Sequence, residues 1–235
     1  MVKLINSTDS WNKMKNPIRL IRHKLKEHLF FRNKRGLFEV NLENIYDDSQ
    51  FQDRKRDEYF EYGSALEGVF LNSSFMDIGC ANGHLLDYFY QKGIKDIAGI
   101  EGSEAAFKYM PEHIKCYVSK ADLSRVIGIS AEKYDLVNCT EVGEHIPFKY
   151  ENIFLKNVTG FVGKYLVLSW ADTWEGWHGM EKQEHVNPRS KGYVIKKLKA
   201  MGLDFNKKLT DELVKNLSTR KVHDHWIKRV MVFEK

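Results

Sequence analysis

The most constraining feature of this chain is the run Phe75-Met76-Asp77-Ile78-Gly79-Cys80-Ala81-Asn82-Gly83-His84, an apolar strand that turns on glycines into a helix. Downstream of it, short β-forming runs alternate with helical ones. Strands are expected at 75–79, 96–101, 114–118, 134–140, 165–171 and 226–234, and helices at 85–92, 103–110, 150–158 and 189–201. Strands spaced by helical runs are βαβ units, which close into a largely parallel sheet, and a strand at the very end suits an antiparallel edge. Glycines in the first turn let the backbone bend tightly and let a ligand approach the main chain.

Two acidic residues flank that turn. Asp77 precedes it, and Glu101 ends the next strand, where a carboxylate accepts both ribose hydroxyls of an adenosine. A full GxGxxG is missing, so a dinucleotide pyrophosphate is poorly served and a nicotinamide enzyme is disfavoured.

Asp77-Ile78-Gly79-Cys80-Ala81-Asn82-Gly83 resembles the first motif of the class I S-adenosylmethionine-dependent methyltransferases, acidic-x-Gly-x-Gly-x-Gly, with Ala81 in place of the middle glycine. The resemblance runs roughly from Tyr59 to the C-terminus. It implies a Rossmann-like fold with a mostly parallel seven-stranded sheet, helices on both faces and an antiparallel edge strand. It implies S-adenosylmethionine as cofactor, with Glu101 on the ribose, Gly102 and Ser103 beside it, and Asp122 and Leu123 at the adenine. Asp77, Gly79, Cys80, Ala81 and Gly83 would line the methionine end.

Beyond the fourth strand lies Thr140-Glu141-Val142-Gly143-Glu144-His145-Ile146-Pro147. Ligands sit at the carboxyl ends of strands in such sheets, and helical spacing puts Glu141, Glu144 and His145 on one face. Carboxylates with an imidazole suit a divalent cation, here Mg²⁺ or Mn²⁺. The Glu-x-x-Glu-His spacing resembles metal-assisted O-methyltransferases, both those acting on the 3′-terminal ribose of small RNAs and those of the ubiquinone pathway. On that resemblance Glu141, Glu144, His145 and His185 are the metal ligands, with His178 competing for the last place, and Glu144 and His145 are catalytic. Without a metal, His145 is left as a general base.

Other features have two readings. Trp170, Trp174 and Trp177 lie within eight residues, as an acceptor pocket or as an apolar plug. Residues 17–30 read as a basic amphipathic helix, a lid over the domain or a membrane- or nucleic-acid-seeking arm. Residues 40–53 read as a loop and 54–69 as a helix, which divides the chain into an arm, 1–53, and a methyltransferase domain, 54–235. His84 is given no catalytic role, His223 and His225 are read as surface residues, and Cys80 and Cys139 as small core residues.

Charge bears on the partner. Residues 1–40 and 181–235 each carry net +7, and 41–180 carries −9. A basic rim suits a polar or anionic acceptor, expected to be a small hydroxylated or phosphorylated metabolite such as a sugar or a capsule or surface-polysaccharide precursor. RNA is the runner-up acceptor, and a non-catalytic cofactor-binding protein of the same fold is the alternative class. Three dispersed cysteines without a CxxC pair, no signal-like N-terminus and no membrane-length apolar run fit a reduced, cytoplasmic setting.

Overall fold

The computed structural model describes residues 48–128, 133–172 and 185–235. Among them the chain forms α1 (Asp48–Gln52), α2 (Arg56–Glu67), β1 (Ser74–Ile78), α3 (His84–Gln91), β2 (Asp96–Glu101), α4 (Glu104–Tyr109), α5 (Glu112–Lys115), β3 (Val118–Lys120) and β4 (Tyr134–Cys139). Two 3₁₀ turns, Gly143–His145 and Phe148–Tyr150, lead into α6 (Glu151–Phe161) and β5 (Val162–Leu168). Then come α7 (Lys191–Lys199), β6 (Asp204–Phe205), α8 (Lys207–Ser218), α9 (Asp224–Arg229) and β7 (Met231–Glu234). The expected 17–30 helix lies outside the described residues.

The seven strands form one sheet in the order β3-β2-β1-β4-β5-β7-β6. The first five are parallel, and β7 runs antiparallel to both β5 and β6. Alternation along each strand builds two apolar layers. Phe75, Leu136 and Val167 face a cluster with Tyr62, Leu66, Leu86, Phe89, Leu213 and Trp226, so α2, α3, α8 and α9 cover that side. Met76, Val137 and Leu166 face a cluster with Phe154, Val158, Val194 and Leu198, contributed by α6 and α7. Central strands of such sheets are buried on both faces, and all five positions of β1 are buried.

The strand order reverses between β1 and β4. That switch point opens a crevice at the strands' carboxyl ends, where ligands of doubly wound sheets bind. The fold thereby brings the Asp77 turn and the Glu141–His145 segment to one crevice.

Several elements differ from the sequence reading. Residues 48–52 are helical rather than loop because Phe51 is buried against Ala81 and Ala106. Ile114 lies in α5, fully buried in the cluster on the α3 side, so the third strand starts only at Val118. β5 begins at Val162, directly after α6, and leaves the sheet at Ser169. Trp226 and Ile227 are strand-forming residues, yet they sit in α9 because the Trp226 ring packs on Tyr59 and Tyr62, with centroids 5.3 and 4.6 Å apart. Only 231–234 is extended, paired with 165–168. The α8 helix, absent from the sequence reading, buries Leu213 and Leu217 and is capped by Asn206, whose side chain accepts from Leu209 N at 3.0 Å. Each such leucine contributes roughly 2 kcal/mol, and the cap about 1 kcal/mol.

Candidate active site

The glycine turn is tied to β2 by Gly79 and Cys80, whose amides donate to the Ile100 carbonyl at 2.8 and 3.1 Å. Gly79 has φ +75°, and a Cβ there would lie 2.4 Å from Val142 Cγ2. No side chain fits, so the main chain is bare where the crevice begins. Ala81, standing where the motif has its middle glycine, also adopts the left-handed region, with φ +49°. Its amide donates to Glu101 Oε2 at 2.8 Å, and Ser103 N donates to Oε1 at 2.8 Å. These bonds fix the Glu101 carboxylate against the turn. Burial holds its pKa above the ordinary range, and the Ser103, Ala81 and Gly102 amides pull it back.

Asp77 is buried beneath the turn. Asn138 Nδ2 donates to its Oδ1 at 2.8 Å, and Tyr62 Oη donates to Asn138 Oδ1 at 3.1 Å. Burial pushes the Asp77 carboxyl up to about 7, opposed by the Asn138 bond and assisted by the Glu101 charge. Tyr62 and Asn138 escaped the sequence reading, since nothing in α2 or mid-β4 marks them as polar site residues.

These groups line a cavity of about 620 Å³, a volume typical of small-molecule sites. Of the expected cofactor residues, Asp77, Gly79, Cys80, Ala81, Glu101, Gly102, Ser103 and Leu123 face it. Gly83 and Asp122 do not. A Cβ at Gly83 would meet Ile114 Cγ2 at 2.9 Å, so that glycine serves packing. Asp122 turns back to accept from Ser124 N and Oγ at 2.9 and 2.7 Å and lies 3.3 Å from Arg125 Nε. Phe51, from α1, adds an apolar wall.

The adjoining wall is built by β4 and the loop after it. Gly143 lets the Trp170 ring pass, because a Cβ would fall 2.5 Å from it. Trp170 Nε1 in turn donates to the Asn187 carbonyl at 2.7 Å. The Val186 and Asn187 amides both donate to the Glu144 carbonyl at 2.8 Å. This clamp fixes His185 beside Glu144 and His145 although 40 residues separate them in sequence. The imidazoles of His145 and His185 lie 5.0 Å apart at 73°. One ligand atom from each of Glu144, His145 and His185 falls within 4.8 Å of the others.

Glu144 is wholly buried, and neither of its oxygens meets a donor in hydrogen-bonding geometry. Burial first and the Glu141 carboxylate second drive its pKa well up, and the nearby Glu144 and Ala171 amides offset this only in part. Glu141 stands outside the three-residue cluster. Its Oε1 accepts from Ser169 Oγ at 2.8 Å, and its Oε2 lies 2.6 Å from Arg229 Nη1. It is held there with φ +55°, a strained backbone for a non-glycine residue. Arg229, from α9, had no sequence signal.

The 185–190 segment has its own anchor. Buried Glu151 accepts from Arg189 Nε at 2.7 Å, Asn187 Nδ2 at 3.1 Å and Tyr193 Oη at 2.6 Å. Arg189 Nη2 adds an ion contact at 2.6 Å without hydrogen-bond alignment. Trp170 is buried as a plug, whereas Trp174, Trp177 and His178 lie outside the described residues. Cys80 and Cys139 are buried, as expected. His84 is buried against Tyr59, 5.7 Å between rings, and does not line the cavity. His223 and His225 do line it.

A seven-stranded sheet with one antiparallel strand, a glycine turn after β1 and a carboxylate ending β2 defines the class I methyltransferase fold. Solved structures share it. Magnesium protoporphyrin IX methyltransferase of Synechocystis PCC 6803, solved with bound S-adenosylhomocysteine, is 17% identical over 92% of this chain and 97% of that one, with a TM-score of 0.52. An S-adenosylmethionine-dependent methyltransferase from Archaeoglobus fulgidus is 15% identical over 80% and 97%, with a TM-score of 0.55. The CcbJ methyltransferase from Streptomyces caelestis is 8% identical over 83% and 98%, with a TM-score of 0.57. No curated protein matches the sequence.

The methyltransferase-domain family matches residues 49–206, and the chain belongs to that family. It is an S-adenosylmethionine-dependent enzyme. The residues present fit the cofactor: bare backbone at Gly79, a carboxylate at Glu101 that would suit hydroxyls, and a carboxyl at Asp77 that would suit a cationic group line one cavity. Among the described residues no helix is long and apolar enough to cross a membrane.

Proposed function

We propose that this chain is an O-methyltransferase assisted by a divalent cation and acting on a small polar or anionic acceptor. One observation carries the reading. Glu144 offers two buried oxygens without hydrogen-bond partners, beside two imidazoles that open onto the cofactor cavity. A buried carboxylate is costly unless it is paired or coordinates a metal. Glu144, His145 and His185 would hold the ion. One carboxylate and two imidazoles suit Mn²⁺ better than Mg²⁺, which prefers an all-oxygen shell. Glu141 would join only by leaving Arg229.

A cation there supplies a Lewis acid that lowers the pKa of an acceptor hydroxyl near neutrality. S-adenosylmethionine supplies an electrophilic methyl on a sulfonium. The chain's own part is alignment. Glu101 would hold the ribose through its fixed carboxylate, Asp77 would attract the cationic part of the cofactor, and Gly79 would allow close approach. If no ion is held, His145 receives the acceptor proton instead. Chelation tests this directly. Turnover of a hydroxylated acceptor should cease with EDTA and return with Mn²⁺, while S-adenosylhomocysteine still binds. Full turnover after rigorous chelation leaves His145 as the base.

The acceptor reading draws on the cavity wall, where Arg54, Lys55, His223 and His225 gather. The net +7 of residues 181–235 also favours RNA as a second reading. A steep fall of acceptor affinity with salt marks RNA, because phosphate contacts release counterions.

A further inference from the structure

The lining of the cavity contains a histidine pair that the methyltransferase chemistry does not require. His223 caps α9 and His225 lies in its first turn, and both line the cavity shared with His145 and His185. Their rings are stacked, with centroids 4.3 Å apart and planes at 12°. Each neutral imidazole carries one N–H donor. Two parallel rings at that spacing can turn their donors to the same side, at a separation one oxyanion bridges.

The helix that carries them is pinned to the site at two further points. Trp226 packs between Tyr59 and Tyr62, and Arg229 pairs with Glu141 at 2.6 Å. The helix behind the pair is therefore held by packed contacts, while His223 is exposed and His225 half-buried. Three acids near the pair have basic partners: Glu58 lies 3.9 Å from Lys55, Asp224 2.8 Å from Lys228, and Glu141 2.6 Å from Arg229. Arg54 and Lys55 face the same cavity from the segment between α1 and α2, as do Asp53, Asp77 and Glu101 from their own elements.

We propose that His223 and His225 form the acceptor-specificity subsite and receive a phosphate or carboxylate group of a small acceptor. The inference rests on the methyltransferase reading for the word acceptor, and on the cavity geometry for the anion.

The test uses the full chain saturated with S-adenosylhomocysteine, so that the cofactor end is occupied. Inorganic phosphate, acetate and chloride are titrated at matched ionic strength, and the imidazole proton resonances are followed by NMR. Phosphate or acetate should shift the His223 and His225 signals saturably, at least about tenfold more tightly than chloride, the scale of one charge-assisted hydrogen bond. Whichever of the two binds more tightly names the group on the acceptor. His223→Gln/His225→Gln should abolish that preference and leave S-adenosylhomocysteine affinity unchanged. The proposal is overturned if chloride acts as strongly, if the double variant keeps its anion affinity, or if only His145 and His185 respond. Failure of S-adenosylhomocysteine to bind the unaltered chain would instead remove the methyltransferase reading.

Discussion

Glu101 and Ala81 are joined by a 2.8 Å hydrogen bond from the Ala81 amide to the Glu101 carboxylate. The bond links the end of β2 to the turn after β1 and fixes the acid at the cavity wall. Glu101→Ala should weaken S-adenosylhomocysteine binding by about 1.5–3 kcal/mol, the range for hydrogen bonds to a charged group. It should also lower the unfolding midpoint, because the Ala81 and Ser103 amides lose their acceptor. Isothermal calorimetry and a urea titration read the two effects, and an unchanged affinity removes Glu101 from the site.

The same turn makes opposite predictions for two of its small residues. Ala81 occupies a left-handed conformation at φ +49°, so Ala81→Gly should raise stability, by up to about 1 kcal/mol, as strain is relieved against a looser unfolded chain. Gly79→Ala should cost at least about 2 kcal/mol, since its Cβ would meet Val142 at 2.4 Å on a backbone already at φ +75°. A chemical-denaturation series that ranks both substitutions as equally harmful contradicts the strain assignment.

Asp77 gives stability a pH dependence with a definite sign. Its carboxyl is raised from 3.8 to about 7 in the folded chain, so between those values the folded state binds the extra proton. Stability should therefore fall as pH rises through that window, by up to about 4 kcal/mol from this group, and level off above it. A charged methionine end favours the ionised carboxylate, so cofactor affinity should rise over the same window and level off above about pH 7. Asp77→Asn should flatten both profiles. Identical profiles in the variant would assign the pH dependence elsewhere.

Glu151 is expected to act on the site only through position. It accepts from Arg189, Asn187 and Tyr193, and those residues carry the segment that presents His185. Glu151→Ala strands a buried arginine and should destabilise the fold by about 3–5 kcal/mol. Glu151→Gln keeps the shape and part of the bonding, so it should fold and show weakened Mn²⁺ binding with S-adenosylhomocysteine affinity intact. Equal Mn²⁺ affinity in Glu151→Gln would separate the anchor from His185.

The sheet and the cofactor end were legible because they are written locally. Asp77, the glycine turn and Glu101 lie on consecutive βα units whose spacing follows from the fold. The Glu144-His145 pair was equally local, and His185 followed from the resemblance. Arg229 could not be read, because its contact with Glu141 spans 88 residues and depends on how α9 packs. Trp226 misled for a related reason: a β-forming aromatic was placed in a helix by two tyrosines from α2. The α8 helix did carry a signal, since Leu209, Leu213 and Leu217 recur at four-residue spacing behind the Asn206 cap. His223 and His225 read as surface residues, and His223 is exposed; that they also line the cavity has no local signal in the sequence.

The central claim is that Glu144, His145 and His185 hold a divalent cation beside the cofactor cavity. Mn²⁺ binding, followed by electron paramagnetic resonance on the metal-stripped chain with S-adenosylhomocysteine present, tests it most directly. One ion per chain should bind, and His185→Ala and Glu144→Gln should each weaken it at least about tenfold, with S-adenosylhomocysteine affinity unchanged. Absence of stoichiometric Mn²⁺ in the unaltered chain, or equal binding in both variants, would contradict it.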